Sequence, residues 1–369
     1  MRFFHISDLH IGKQLGGFDL SEDLRHVLFS QVLGSAYEQY KPDALIIAGD
    51  IYDRAAPSAE GASLFDELLS RAAELKLPVY AISGNHDSAQ RVAYGRQLFE
   101  HSGIYISAPF SAETPVTLHE FGGIDIALLP YISAEMAQKA YPDEEIESVT
   151  EALSAVFRHA GIPREGRPCL LVAHQAVADE SATPIGKLEN ADHRVFQPFC
   201  YTALGHFHTP RFVGGARVRY CGSPICFSAK EAERPQKYLD IIDIDDEGNA
   251  EVENLPLQPL RAVRVIEDSF QNIISDKYAP SEEFVFIAVE GDNAELDVAR
   301  RIMAKFPNCV SIRYQQKKAE QTEAVEYREL EFADLFSGFY SSVMGEDIDE
   351  KLLETAETLF RQAEKEADR

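Results

Sequence analysis

The sequence predicts an α/β protein in which two β-sheets pack face to face with helices outside them, followed by a small α/β unit and a pair of C-terminal helices. Three observations predict it. Short, wholly apolar runs of strand length recur through the first two hundred residues, and unbroken apolarity marks strands buried on both faces. Helical stretches alternate with those runs. Later the pattern changes to strands and tight turns, as a β-α alternation needs if it folds back into two packed sheets.

The elements follow in order. Arg2-Phe-Phe-His-Ile6, Ala44-Leu-Ile-Ile-Ala48, Val79-Tyr-Ala-Ile-Ser83, Leu170-Leu-Val-Ala173 and Tyr201-Thr-Ala-Leu204 read as buried strands. Helices are expected at roughly 21–39, 60–75, 91–100 and 148–159. Val218 to Tyr220 and Tyr238 to Ile244 read as late strands, with Asp245-Asp-Glu-Gly-Asn249 as a turn. Two prolines in Asn254-Leu-Pro-Leu-Gln-Pro259 mark a boundary. Beyond it the pattern is strand 261–266, helix 269–275, strand 284–290, helix 294–305, strand 310–314. A polar stretch, 315–326, then leads to two amphipathic helices, 334–344 and 349–364. Leu335, Phe336, Phe339, Tyr340 and Val343 share a face of the first, and Leu352, Leu353, Ala356, Leu359 and Phe360 a face of the second. The resulting division is 1–255, 256–318 and 319–369.

Each of the five early strands hands over to a segment bearing metal-ligating side chains. They are Asp8-Leu9-His10, Gly49-Asp50-Ile51-Tyr52-Asp53, Gly84-Asn85-His86-Asp87, His174-Gln175 and Gly205-His206-Phe207-His208. Ligands delivered from the carboxyl ends of several strands converge on one sheet edge, where open α/β sheets build their sites. Carboxylate, imidazole and side-chain amide without thiolate suit manganese, iron or zinc better than soft metals or clusters. A metal pair needs a bridging ligand, and Asp50 is the obvious carboxylate for it. Two ions roughly 3.5–4 Å apart would activate a shared water and clamp both oxygens of an in-line displacement at phosphorus. That chemistry is phosphate ester hydrolysis.

The ordered set D-x-H, GDxxD, GNHD, a lone His after a strand, and GHxH resembles the calcineurin-like metallophosphoesterase superfamily. Gly49-Asp-Ile-Tyr-Asp-Arg54 with Pro57-Ser58, and Val218-Arg-Tyr-Cys-Gly-Ser-Pro-Ile225 with Phe227-Ser228, narrow the resemblance to the SbcD family, bacterial nuclease subunits that work with a coiled-coil ATPase, SbcC. It covers about the first 240 residues strongly and the rest loosely. It implies the metallophosphoesterase fold, with Asp8, His10, Asp50 and His208 on one divalent ion and Asp50, Asn85, His174 and His206 on the other, manganese being the expected metal. It makes His86 the catalytic residue that stabilises the transition state or protonates the leaving 3′ oxygen, an apt task for an imidazole near neutral pH. Asp53 and Asp87 become carboxylates that orient histidines. Archaeal and eukaryotic members carry histidine where this chain has Asp53, and the aspartate fits the bacterial pattern. The resemblance further implies a DNA exonuclease and endonuclease (3′ to 5′ on duplex ends, single strands and hairpins) serving repair, recombination and replication. The 256–318 unit would cap the nuclease site, the tail would dock on SbcC, and a homodimer through 91–100, or a 2:2 heterotetramer, is expected. The alternative is a phosphoesterase of nucleotides or other small phosphodiesters.

Composition limits these readings. No apolar run approaches ~20 residues, so no membrane span is expected, and a strand with a site aspartate at position 8 argues against a signal peptide. Five cysteines without a C-x-x-C pair imply no disulfide framework and a reducing compartment, the cytoplasm. The net charge of −26 opposes DNA binding, which usually draws on a basic surface, so weak affinity is expected of the isolated chain. Arg54 and Arg91, which follow metal motifs directly, are candidate phosphate contacts, as are Lys187, Arg211, Lys230, Arg234 and Lys237 in later loops. His5, His26, His101, His119, His159, His193, Asp43 and Asp125 lie outside the motifs and read as structural or surface residues.

Overall fold

The apolar runs are strands, and their alternate residues face two different cores. Strands β1 (Arg2–Ile6), β2 (Ala44–Ala48), β3 (Val79–Ile82) and β4 (Ile104–Ile106) run parallel in that order. Leu45 and Ile47 of β2 pack under helices, whereas Ala44, Ile46 and Ala48 point to the opposite layer. The second sheet takes β5 (Thr117–Phe121), β6 (Ile124–Leu129), β7 (Cys169–His174), β8 (Tyr201–Gly205), β9 (Arg211–Phe212) and β10 (Val218–Tyr220), in the order β9-β10-β8-β7-β6-β5. Its β6, β7, β8 and β10 are parallel, and β5 and β9 are antiparallel edges. The chain then returns to the first sheet as a hairpin, β11 (Lys237–Ile244) and β12 (Ala250–Leu257), beside β1. Between the sheets lie Phe3, Ile46, Tyr80, Ile82, Leu128, Val172 and Tyr201, all buried. Each such side chain stabilises the fold by about 1.5–3 kcal/mol.

The described residues are 1–178, 190–290 and 296–315, with 336, 340, 348–349, 351–353 and 355–356 from the tail, in a computed structural model. Met1–Gln315 form one unit and Gln316–Arg369 another. Lys187 and nearly all of the two expected tail helices lie outside the described residues. Phe336, Tyr340, Lys351, Leu352, Leu353, Thr355 and Ala356 are helical.

Helices cover the outer faces. Helix α1 (Ala59–Glu74) starts where Ser58 Oγ accepts from the Gly61 amide, and its Leu64, Phe65, Leu68 and Ala72 face the first sheet. Helix α2 (Val149–Ala160) has a Ser148–Glu151 capping box, ends at Gly161 in the left-handed region, and buries Leu153, Val156 and Phe157 on the second sheet. Residues 21–40 are helical but widen into a π-helix, His26–Ala36, kinked at Gly34. The expected helix at 91–100 is two short ones, Ala89–Val92 and Arg96–Phe99, because Gly95 between them has φ +74°. The proline-marked segment is itself strand. Strand β12 continues through Pro256 to Leu257, which an edge strand permits because a missing N–H costs no ladder bond there.

After Leu257 come β13 (Val263–Ser269), α3 (Phe270–Ile274), β14 (Phe284–Glu290), α4 (Leu296–Lys305) and β15 (Cys309–Gln315). The three strands form a parallel sheet whose Ile266, Val285, Ile287 and Val289 pack on Ile273, Val298, Ile302 and Phe306. Its other face, through Val263, Phe284, Phe286 and Val310, joins the core of the first sheet.

One ion pair joins the two large sheets. Arg219 of β10 donates to both oxygens of Asp240 on β11, at 2.5 and 3.0 Å, and Asn254 completes the carboxylate's shell. Both partners are buried, and burial together with the Arg219 charge pushes the pKa of adjacent His5 down to about 3, leaving it neutral. Removing one partner strands a charge, so Arg219→Met should destabilise the chain by about 3–5 kcal/mol. Arg219→Met with Asp240→Leu should recover most of that, because both charges are gone. Denaturant midpoints of the wild type, single and double variants check this, and equal losses in both variants would refute it.

Candidate metal centre

All five ligand-bearing segments begin at the carboxyl ends of parallel strands, three from the first sheet and two from the second. The β1–β2 ladder extends past both strand ends, with the Asp8 amide on Gly49 O and the His10 amide on Asp50 O, each at 3.0 Å. His174 and Gly205 are neighbours in the β7–β8 register, so His206 leaves its strand beside His174. The turns are tight. Asp8, His10, Asp50 and His206 all have positive φ, at 53°, 43°, 48° and 111°. Such strain in non-glycine residues costs about 1–3 kcal/mol each and persists where surroundings over-determine it.

The glycines before the ligands are required by proximity. A Cβ on Gly205 would lie 2.0 Å from Ala48 O and 2.7 Å from His174 Nδ1. On Gly84 it would lie 2.2 Å from Asp50 Oδ1, and on Gly49, 2.5 Å from His174 Nδ1. The G in GD, GN and GH is thus where one strand's backbone admits another strand's ligand.

Among the described residues donor atoms converge in three overlapping groups, Asp8 with His10 and His208, Asp8 with Asp50 and His174, and His10 with Asp50 and His86, the atoms of each lying within 4.8 Å of one another. Asp50 belongs to two of them. Its Oδ1 accepts from the His86 amide at 2.9 Å, which turns Oδ2 toward His10 Nε2 (3.7 Å) and His174 Nε2 (3.4 Å). Asn85 Oδ1 lies 3.1 Å from His174 Nε2 and 3.0 Å from His206 Nδ1. Ser7 Oγ and the His206 amide hold Asp8.

This donor set fits cations. His208 Nδ1 faces Glu231, and His174 Nδ1 faces the Ala48 carbonyl at 2.8 Å, which assigns their protons to Nδ1. The His208 Nε2 lone pair then meets His10 Nε2 at 3.0 Å, while buried His10 Nδ1 has no hydrogen-bond partner. Both Nε2 atoms are placed to serve a divalent ion, His10 taking the tautomer protonated at Nδ1 when it does. Burial pushes His10 down to about 3 and, with the His174 charge, His206 down to about 4, so both present neutral rings. Burial also opposes charge on His174, but Asp50 and Asp8 outweigh it and raise its pKa to about 9. Asp50 is correspondingly held well below the usual carboxylate range despite its burial.

His86 differs from the other imidazoles. It is exposed, packs edge-on against His10 with centroids 4.9 Å apart, and sets Nδ1 3.0 Å from the Asp53 carbonyl. Among the described contacts its other ring nitrogen has no hydrogen-bond partner. The two expected orienting carboxylates behave differently from expectation. Asp87 touches no histidine among the described contacts. It accepts from the amides of Ile51, Tyr52 and Gly84 at 2.8–3.0 Å and so staples two ligand loops together. Asp53 sits 3.7 Å from His10 Nδ1, too far for a hydrogen bond, and pairs with Lys13 at 2.6 Å, while its carbonyl serves His86. Among the described contacts of the centre, the carboxylate that does bond a histidine is Glu231, on His208 Nδ1 at 3.1 Å, held down to about 2 by His208 and Lys237 against its burial. Sequence reasoning missed it because it lies 23 positions from its partner. The only local signal is Ser228-Ala-Lys-Glu231, a helix-start pattern.

Of the candidate phosphate contacts, Lys237 is a correction. It is buried and bonded to Glu231, Ser223 Oγ and His208 O, because a strand-start lysine here neutralises an internal carboxylate. Arg211 stacks on Phe207 with its guanidinium 4.3 Å from the ring centroid. Arg54 is 86% exposed and lines a groove of about 460 Å³ with Lys13 and Ser58. Lys230 and Arg234 line another of about 660 Å³ that starts at His208. Arg91 is exposed on Ala89–Val92.

Comparison with known proteins agrees with this geometry. Residues 1–210 match the model of the calcineurin-like phosphoesterase family, and residues 256–344 that of the type 5 capsule protein repressor C-terminal domain. The chain is 31% identical over 288 residues, 75% of each chain, to the D subunit of the nuclease SbcCD from Staphylococcus epidermidis. It is 29% identical over 363 residues, 94% of each, to the protein of the same name from Staphylococcus saprophyticus. Among solved structures, zinc-complexed Vps29 from Entamoeba histolytica aligns over 69% of this chain and 99% of its own, at 11% identity and a TM-score of 0.29, too distant to bear on function.

The imidazole pKa values set a pH optimum for the stability of metal-stripped protein. His10 and His206 have folded values below the unfolded 6.5, so the stability they support is present above 6.5 and falls as pH drops toward about 4 and 3. His174 is raised, so its contribution is complete below 6.5 and is lost as pH rises through about 9. Melting temperature after EDTA treatment should therefore peak near neutrality and fall on both sides, with the alkaline limb absent in His174→Asn. A monotonic profile would contradict the assignment.

Proposed function

The chain belongs to the calcineurin-like phosphoesterase family, among the D subunits of the SbcCD nuclease, and from that premise we propose that it is a two-metal DNA phosphodiesterase of a DNA-break-processing complex. The observation that carries the proposal is the position of Asp50 Oδ2, between His10 and His174 and hence between two groups of donors. In this reading Asp8, His10, Asp50 and His208 hold one divalent ion, and Asp50, Asn85, His174 and His206 the other, with manganese the preferred metal. When bound, such ions supply a nucleophilic water at neutral pH and positive charge beside the phosphoryl oxygens. The chain's own residues do the rest. The Asp53 carbonyl fixes the His86 ring, whose remaining nitrogen delivers a proton to the leaving 3′ oxygen. Arg54 and Arg91, both exposed, are available to neighbouring phosphates.

The reading extends to assembly and location. Tyr94 and Leu98 are 82% and 75% exposed around Gly95, which supports a homodimer face in the 91–100 segment. The tail, with the second matched domain leading into it, would bind the SbcC-type ATPase. All five cysteines are free, and no described helix is long and apolar enough to cross a membrane, which accords with work in the cytoplasm. Exonuclease action from 3′ to 5′ on duplex ends, endonuclease action on single strands and hairpins, and a capping role for 256–318 belong to the same proposal.

Two experiments test it. With manganese, the wild-type chain should cleave linear duplex and hairpin DNA and a small chromogenic phosphodiester. His86→Ala should lower all of these rates by about 10²–10⁴ while leaving manganese affinity unchanged. Cleavage of the small ester alone, even with the ATPase added, would favour a small-molecule phosphodiesterase. Deleting 330–369 should abolish association with the ATPase in co-purification and leave ester hydrolysis intact, and loss of both together would refute a docking tail.

A further inference from the structure

Among the described contacts, His208 is the imidazole of the centre whose outer ring nitrogen meets a carboxylate within hydrogen-bond distance. Glu231 Oε1 accepts from Nδ1 at 3.1 Å, and its Oε2 accepts from Lys237 Nζ at 2.6 Å and Ser223 Oγ at 3.2 Å. Ser228 Oγ adds a bond to Oε1 at 3.2 Å. Lys237 is itself committed on three sides, to Glu231, to Ser223 Oγ at 2.9 Å and to the His208 carbonyl at 3.1 Å. Those three acceptors use every N–H of the ammonium. Lys237 and Glu231 therefore grip His208 at both its backbone and its ring.

The geometry points to Glu231, clamped by Lys237 and Ser223, as the positioning residue of His208, and so as the outer carboxylate of one of the two metal sites. A proton held on Nδ1 leaves Nε2 as a lone pair directed into the centre, where it lies 3.0 Å from His10 Nε2. An acceptor itself clamped by Lys237 and Ser223 also fixes the orientation of the ring. At the opposite site no such partner occurs among the described residues, and His174 Nδ1 rests on the neutral Ala48 carbonyl. The two sites thus receive unequal support, and the segment 223–237 is part of the metal centre as well as a wall of the groove beside it. This inference rests on the two-metal reading above.

The test uses the full chain and manganese chloride. Calorimetric titration should give two bound ions for wild type. Glu231→Ala should weaken one site about 10–100-fold and leave the other within about two-fold. Glu231→Gln, which keeps an acceptor oxygen but not the charge, should fall between. In the metal-free wild type, imidazole ¹⁵N–¹H correlation should show His208 protonated at Nδ1 and bare at Nε2. An Nε2-protonated His208 overturns the assignment without any variant, so it stays falsifiable should Glu231→Ala fail to fold. Two ions bound by wild type with unchanged affinities in Glu231→Ala overturn this assignment alone, as does equal weakening of both sites. Fewer than two ions bound by wild type overturns the two-metal reading and this assignment with it.

Discussion

The structure turns on the carboxylate of Asp50. It leaves the central strand of the first sheet at positive φ, has one oxygen fixed by the His86 amide, and turns the other toward histidines from both sheets. Nothing larger than hydrogen fits at Gly84, whose Cβ would fall on that carboxylate, or at Gly205, where His174 and the Ala48 carbonyl meet. The two sheets must therefore be held at one separation and one register, or the donors do not meet. The buried inter-sheet core and the Arg219–Asp240 pair maintain that spacing, and Asp87 ties the second and third ligand loops to each other. Stability and site geometry are here the same constraint.

The same constraint reaches the 256–315 region. The short hairpin after His10, Gln14–Leu15 with Phe18–Asp19, packs Phe18 against Phe284, and Gly16 lies so close to Val310 that a Cβ there would overlap it. Arg261 grips Asp23 just beyond that hairpin. On another side β13 packs against the turn Glu231–Glu233, which carries the partner of His208. Two ligands of one proposed metal site, His10 and His208, are thus connected through short chain segments to the small sheet. A displacement of that sheet would be felt first at those two imidazoles, while His174 and Asn85 depend on the large sheets alone. The unequal support of the two sites and the unequal reach of the small sheet coincide.

How much of this was legible in the sequence follows from what each signal depends on. The buried parallel strands were legible because unbroken apolarity leaves few alternatives, and the ligand segments because each pairs a strand end with chemically distinctive residues. The β5–β6 hairpin was missed although Gly122-Gly123 is a two-residue turn signature, since β5 is only half-buried and shows little apolar patterning. The break at Gly95 was missed because glycine is tolerated inside helices and only its conformation reveals the interruption. Pro256 reads as the end of a unit because sequence does not say which strand lies at an edge. The roles of Asp87, Lys237 and Glu231 were illegible for a deeper reason. Each is set by a partner whose direction depends on the fold, and a carboxylate beside a motif looks the same whether it meets a ring or a row of amides.

The net charge of −26 then becomes a statement about where binding can reside. Phosphate contact requires cations that are exposed and uncommitted, and burial has removed Lys237 from that set. Arg164 and Arg167 are spent on buried Asp125, and Arg261 on Asp23. Among the described residues, Arg54, whose contact with Asp53 is long at 3.8 Å, lines one groove, and Lys230 and Arg234 line the other, which begins at His208. Under the proposed function, a strand crossing the site would meet these positive side chains on a chain that is acidic as a whole. Such a charge distribution positions a phosphate once it arrives and does little to gather nucleic acid from a distance. Under the proposed function, capture and cleavage are therefore divided between two proteins: the ATPase supplies the grip, and this chain supplies the local alignment that cleavage needs.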